Sequence, residues 1–153
     1  MGAYTLYDLL HEIKTIALTH DQINFCEISD VWDISSKEQN YMACWIETPV
    51  NVSYLRAETK VYQFAINILQ LQKDYNDLDS IVKNTSDCED VGDDLIQALK
   101  DKLKSFKTMM DITDVNAITL RHFTTSDLVG IRYDITINTQ SNFRCYQNNF
   151  ETA

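Results

Sequence analysis

The sequence predicts an α+β fold: a single twisted antiparallel sheet of four to five strands, with helices packed mainly on one face, in one domain covering residues 1–153. Three observations predict it. Two segments repeat apolar residues at three- and four-residue steps, as an amphipathic helix does. Several others are short, alternating or apolar, and rich in aromatic and β-branched residues, as strands are. Their order is helix, strands, helix, hairpin, without the regular strand–helix alternation that builds a parallel sheet. A chain of 153 residues is one domain's worth and buries roughly 70% of its extended surface, so it needs no staples.

The elements follow in chain order. Leu6, Leu9, Leu10, Ile13, Ile16 and Ala17 share one face of a helix running from about Thr5 to Leu18. Thr5 and Asp8 have the spacing of a capping box, with the acid favourable in the first turn. Residues 24–34 alternate loosely and give a short strand, followed by the polar turn Ser35–Asn40. Residues 41–48 make a stronger strand, which Pro49 ends. The stretch 50–60 reads as a long hairpin loop anchored by Val52, Tyr54 and Leu55. From Lys60 to Leu71 the chain is rich in Val, Tyr, Phe and Ile, which predicts a long strand antiparallel to the one before it.

A compositional break follows. Residues 74–94 hold eight acids and one base, Lys83. Cys88, Val91, Leu95, Leu99, Leu103 and Phe106 then recur at helical steps, with Lys100, Lys102, Lys104 and Lys107 at the far end. Acids first and lysines last suit the helix dipole, so a helix is expected over about 87–105, with a shorter one around 75–84. Residues 117–123 and 128–138 alternate on either side of the turn Thr124–Asp127 and predict an antiparallel hairpin. In the first of these strands Ile118, Leu120 and His122 share a side. The polar tail, 139–153, is expected to wrap over the surface.

Charge narrows the partners. Twenty-three acidic against thirteen basic side chains give −10, the wrong sign for gripping phosphates or anionic lipid. A negative wall is nevertheless suited to letting DNA slide past. No apolar run approaches the ~20 residues of a membrane span, and Asp8 and Glu12 come too early for a signal peptide. Cysteines 26, 44, 88 and 145 form no Cys-x-x-Cys pair, so free, mostly buried thiols are expected rather than a metal site.

Catalytic patterns are sparse. An EF-hand loop begun at Asp87 would place Gly92 correctly, but Val91 and Ala98 would occupy ligand positions. Asp8 or Glu12 beside His11 reads as a polar helix face, and His122 as a half-buried structural residue. Glu27, Asp30 and Asp33 would scatter over both faces of a strand. No enzyme, cofactor or metal is expected. Tyr4, Tyr7, Tyr41, Tyr54, Tyr75, Tyr146 and Phe150 fall near element ends or in loops, where aromatics either make protein contacts or cover the core.

Several of these pieces, in this order, resemble the tail-terminator or head-to-tail joining ring proteins of tailed bacteriophages, including crAss-like phages and related phages of gut Bacteroidales. They are the amphipathic first helix ending near His20, the segment Glu27–Asp33, the strand Tyr41–Thr48, the acidic helix entry Asp87–Leu95, the hairpin strand Ser126–Ile137, and Asn142 and Cys145 in the tail. One departure is Met42-Ala43, where the family pattern leads to expect a Pro.

The resemblance implies a virion protein, assembled in the host cytoplasm, that forms a homo-oligomeric ring of six or twelve copies in the neck. Its partners would be its own copies and the portal, adaptor and tail proteins, with genomic DNA passing through the bore unbound. On that reading Pro49, Tyr54 and Arg56 reach a neighbouring copy, since a closed ring joins two different patches. Asp87, Glu89, Asp90, Asp93 and Asp94 would line the bore and repel phosphates. Two other readings stand beside it: an acidic interaction module of inhibitor or immunity type, and a small α+β enzyme.

Overall fold

A computed structural model describes residues 5–30, 41–55, 59–105, 110–121 and 127–140. The first helix, α1 (Leu6–Thr19), starts where its cap dictates. The Asp8 N–H donates to Thr5 Oγ1 at 3.2 Å, and the Thr5 N–H donates to Asp8 Oδ2 at 2.8 Å. Two of the otherwise orphaned N–H groups of the first turn are thereby satisfied reciprocally. Leu9, Leu10, Ile13 and Ala17 form its buried stripe.

Six strands follow: β1 (Phe25–Asp30), β2 (Ala43–Thr48), β3 (Asn51–Leu55), β4 (Thr59–Leu71), β5 (Met110–Arg121) and β6 (Leu128–Gln140). They form one sheet in the order β1-β2-β4-β6-β5, with β3 also on β4. The class is α+β, as expected, but with six strands and a mixed sheet. β1 and β2 run parallel, with Cys26 opposite Cys44 and Asp30 opposite Thr48. Residues 31–42 between them provide the dozen residues that a parallel crossover needs. All the other pairs are antiparallel.

The second helix, α2 (Leu78–Ser105), is a single element of 28 residues, which replaces the expected short helix and separate acidic-start helix. Asp77 begins it: its Oδ1 accepts from the Ser80 N–H at 3.1 Å, and its carbonyl accepts from the Ile81 N–H at 3.1 Å. An aspartate in that position is a favourable cap. Lys102 and Lys104 stand in the last turn, as the dipole favours.

Both helices cover one face of the sheet. Cys44, Ile46, Phe64, Ile66, Ile68, Ile131, Tyr133, Ile135 and Ile137 point at them, alternating along β2, β4 and β6, and join the helices' apolar stripes in the main core. Gly92 lets α2 lie close on the sheet: a Cβ there would overlap the Tyr133 ring. Gly130 on β6 is also constrained, and more rigidly, since its Cβ would overlap the backbone carbonyl oxygen of Ile68 on β4. On the other face a small cluster of Ala43, Trp45, Leu69 and Leu128 covers only one end. The expected tail begins later than position 139, because β6 runs to Gln140. Residues 141–153, with Asn142, Cys145, Tyr146 and Phe150, lie outside the described residues. Among the described residues, no helix is long and apolar enough to cross a membrane.

Candidate functional site

The expected loop 50–60 contains a strand. β3 pairs with the first half of β4, Asn51 opposite Gln63 through Leu55 opposite Thr59, while β2 pairs with the second half, Ile66–Leu69. β2 and β3 thus share one flank of β4 end to end, and Pro49 marks the corner between them. The described part of β1 reaches the Thr48 level, and among the described residues β3 pairs with β4 alone. On β3, Val52, Tyr54 and Leu55 are all exposed. The amino group of Lys60 lies 5.6 Å from the Tyr54 ring centroid and 5.8 Å from that of Tyr62. Of the three expected contact residues, Pro49 and Tyr54 therefore lie on one exposed stretch, and Arg56 lies outside the described residues.

The acidic group sits elsewhere than expected. Asp87, Glu89, Asp90, Asp93 and Asp94 lie mid-way along α2, several turns past its start at Leu78. The helix-dipole benefit falls off within the first turn, so the dipole does not account for them. Glu89, Asp90, Asp93 and Asp94 are exposed, and Asp87 is half-buried, while Cys88, Val91 and Leu95 face the core. Two of the acids are tied down. The Tyr133 hydroxyl is placed to donate either to the Glu89 carbonyl at 3.0 Å or to Asp93 Oδ1 at 3.1 Å. His20 Nδ1 accepts from the Gln22 N–H at 3.1 Å, which leaves Nε2 to donate to Asp94 Oδ2 at 3.0 Å. Residues 87–98 are helical, so the EF-hand reading has no loop to use.

A third feature was not visible in the sequence. On the helix-free face, Glu47 Oε1 accepts from Asn67 Nδ2 at 2.8 Å and from Arg132 Nη1 at 2.9 Å, and Arg132 Nε donates to Asp134 Oδ1 at 3.2 Å. This network spans β2, β4 and β6 and forms part of an open groove of about 380 Å³. Glu47, Pro49, Gln63, Asp114, Arg132 and Asp134 are among its walls. Three carboxylates against one guanidinium keep it negative. Beside it, Asn67 Oδ1 and Trp45 Nε1 are buried without hydrogen-bond partners.

The titratable groups that are shifted mostly favour their neutral forms. A hydrogen bond with Cys26, then burial, holds the Cys44 thiol well above its ordinary value. Burial, reinforced by Asp87, pushes Cys88 up to about 12. Burial raises Tyr41 to about 12, and burial with the Asp93 charge raises Tyr133. A nucleophilic cysteine needs the opposite shift. Cys26, Cys44 and Cys88 are free and buried. Asp8 is engaged by the cap, and the His11 ring stacks on Tyr7 with centroids 4.0 Å apart. His122 and Asp33 lie outside the described residues.

No protein-family model matches the chain, and a search of curated proteins finds no match.

Proposed function

We propose that the chain is a structural subunit of a phage neck, one copy in a ring that joins the portal side of the virion to the tail and lets genomic DNA pass. The observation that carries this reading is the row of exposed apolar side chains Val52, Tyr54 and Leu55 on β3, beyond the Pro49 corner. It is an apolar, strand-shaped surface on a chain whose shifted cysteine and tyrosine side chains favour their neutral forms. The exposed acids of α2 supply a surface that DNA can slide past without adhering. The test is electron microscopy of the chain co-produced with its portal-side and tail-side neighbours. Closed rings with an open, acid-lined bore are expected. Dispersed single subunits in the presence of those neighbours, or a bore rimmed by basic side chains, would contradict the proposal.

The exposed row Glu89, Asp90, Asp93 and Asp94 favours a second reading, an acidic module that masks a basic protein surface. In that case the chain forms a small one-to-one complex, and light scattering separates this outcome from a ring.

A further inference from the structure

We infer that Cys26 and Cys44 form a dithiol site, which a small disulfide such as oxidised glutathione converts to a reversible Cys26–Cys44 disulfide that staples β1 to β2.

Strand register brings the two thiols together. β1 and β2 run parallel, and Cys26 stands directly opposite Cys44. Both side chains belong to the helix-facing core, so they leave the sheet on the same side, and the two thiols share a hydrogen bond. Neighbouring strands lie about 4.7–4.9 Å apart, inside the roughly 4.4–6.8 Å between Cα atoms that a disulfide spans. The Cβ atoms of a directly opposed parallel pair stand about one strand spacing apart, slightly beyond the ~3.5–4.5 Å of a relaxed disulfide. The bond therefore forms under some strain, and strained disulfides are the ones that reductants reopen.

Cys26 reacts first. It is 4% exposed against 0% for Cys44, and among the described residues its strand pairs with β2 alone. Cys44 is held from both sides, by β1 and by β4. A strand held by one ladder opens locally at lower cost than one inside the sheet. The Cys26 thiolate attacks one sulfur of the small disulfide, forms a mixed disulfide and releases one small thiolate. That step removes the hydrogen bond from Cys26 that does most to hold the proton on Cys44. Cys44 then loses its proton and attacks the Cys26 sulfur, and the second small thiolate leaves. Two protein thiols lose two electrons and two protons, and one small disulfide becomes two thiols. Cys88 is the internal comparison. It is fully buried on α2, where burial and the Asp87 charge keep it protonated, so it stays a thiol.

Trypsin cuts the four cysteines into separate peptides, 15–37, 38–56, 84–100 and 145–153. The folded full chain is treated with oxidised glutathione, quenched in acid, denatured, alkylated and mapped by mass spectrometry. Peptides 15–37 and 38–56 joined by a disulfide, from chains of single-subunit mass on a non-reducing gel, are expected as the main product. Peptide 84–100 is expected as the alkylated thiol, and dithiothreitol should separate the joined pair. In Cys44→Ala the reaction is expected to stop at the Cys26–glutathione mixed disulfide, because no opposed thiol resolves it. Amide hydrogen exchange along β1 is expected to slow at least about tenfold in the oxidised chain, since the staple opposes local opening, and to recover on reduction.

The inference is overturned if Cys26 and Cys44 both remain alkylatable thiols, if the unmodified chain stops at glutathione adducts, or if Cys26 links instead to peptide 84–100 or 145–153. It is equally overturned if the joined chain exchanges its β1 amides as fast as the reduced one.

Discussion

Replacing Gly92 with alanine sets two effects of opposite sign against each other. Glycine inside a helix costs about 1 kcal/mol relative to alanine, so at an exposed position the change would stabilise α2. At position 92 the added methyl overlaps Cε2, Cζ and Oη of Tyr133. The ring cannot swing aside freely: Tyr133 is only 3% exposed, and its hydroxyl is within hydrogen-bond reach of Glu89 and Asp93. Restoring ordinary contact distances requires the helix or the ring to retreat by about 1 Å. Overpacking of this kind costs about 1–3 kcal/mol, and a lost hydroxyl bond adds about 1 kcal/mol. The net expectation is a loss of about 1–3 kcal/mol. At this chain length that lowers Tm by roughly 2–4 °C per kcal/mol. Urea unfolding followed by circular dichroism measures the change. The Tyr133→Leu background supplies the control: with the ring gone, Gly92→Ala is expected to be neutral or stabilising by up to about 1 kcal/mol. A single Gly92→Ala variant as stable as the unmodified chain would refute the steric account.

Gly130→Ala is expected to be more damaging than Gly92→Ala in the same urea series. Its Cβ meets the Ile68 backbone oxygen, which cannot rotate away as a side chain can. Glu47→Ala removes the acceptor shared by Asn67 and Arg132 and strands a fully buried amide, so a loss of about 1–3 kcal/mol is expected. Glu47→Gln keeps an acceptor oxygen and is expected to lose less. Equal stability of Glu47→Ala and the unmodified chain would show that the network contributes nothing. Thr5 holds the Asp8 carboxyl below its ordinary value of 3.8, through its backbone N–H first and its hydroxyl second. That contribution is fully present above 3.8 and is lost as pH falls through the lower folded-state value. Asp8→Asn should therefore narrow the stability gap to the unmodified chain progressively in acid, and a gap independent of pH would contradict this cause.

How far the sequence carried depended on whether side-chain pattern or chain pairing was at stake. α1 was legible because its stripe and its Thr5–Asp8 cap are both local. β4 and β6 were legible because each buries a full helix-facing row, from Tyr62 to Ile68 and from Ile131 to Ile137. The first part of α2 was underread because between Leu78 and Cys88 only Ile81 is buried, so periodicity is faint there. β3 escaped because it is a strand by backbone pairing alone, exposed on both faces, and alternation needs one buried face to register. The start of β5 escaped because a register shift between Ile112 and Asp114 breaks its alternation. The parallel direction of β1 and β2 was illegible because alternation reports which face a side chain takes, not which way the neighbouring strand runs. The groove network joins Glu47, Asn67 and Arg132, which are brought together by strand order and register, and no local motif encodes that.

The neck proposal requires copies of the chain to associate, with the exposed β3 row as a candidate contact. Native mass spectrometry of the full chain, alone and with the proposed portal-side and tail-side neighbours, reads that association itself. Multiples of the 17.7 kDa subunit are expected, and Val52→Glu/Tyr54→Glu, which charges the exposed β3 row, is expected to reduce them. A spectrum showing only the single subunit at every concentration and with every partner would contradict it.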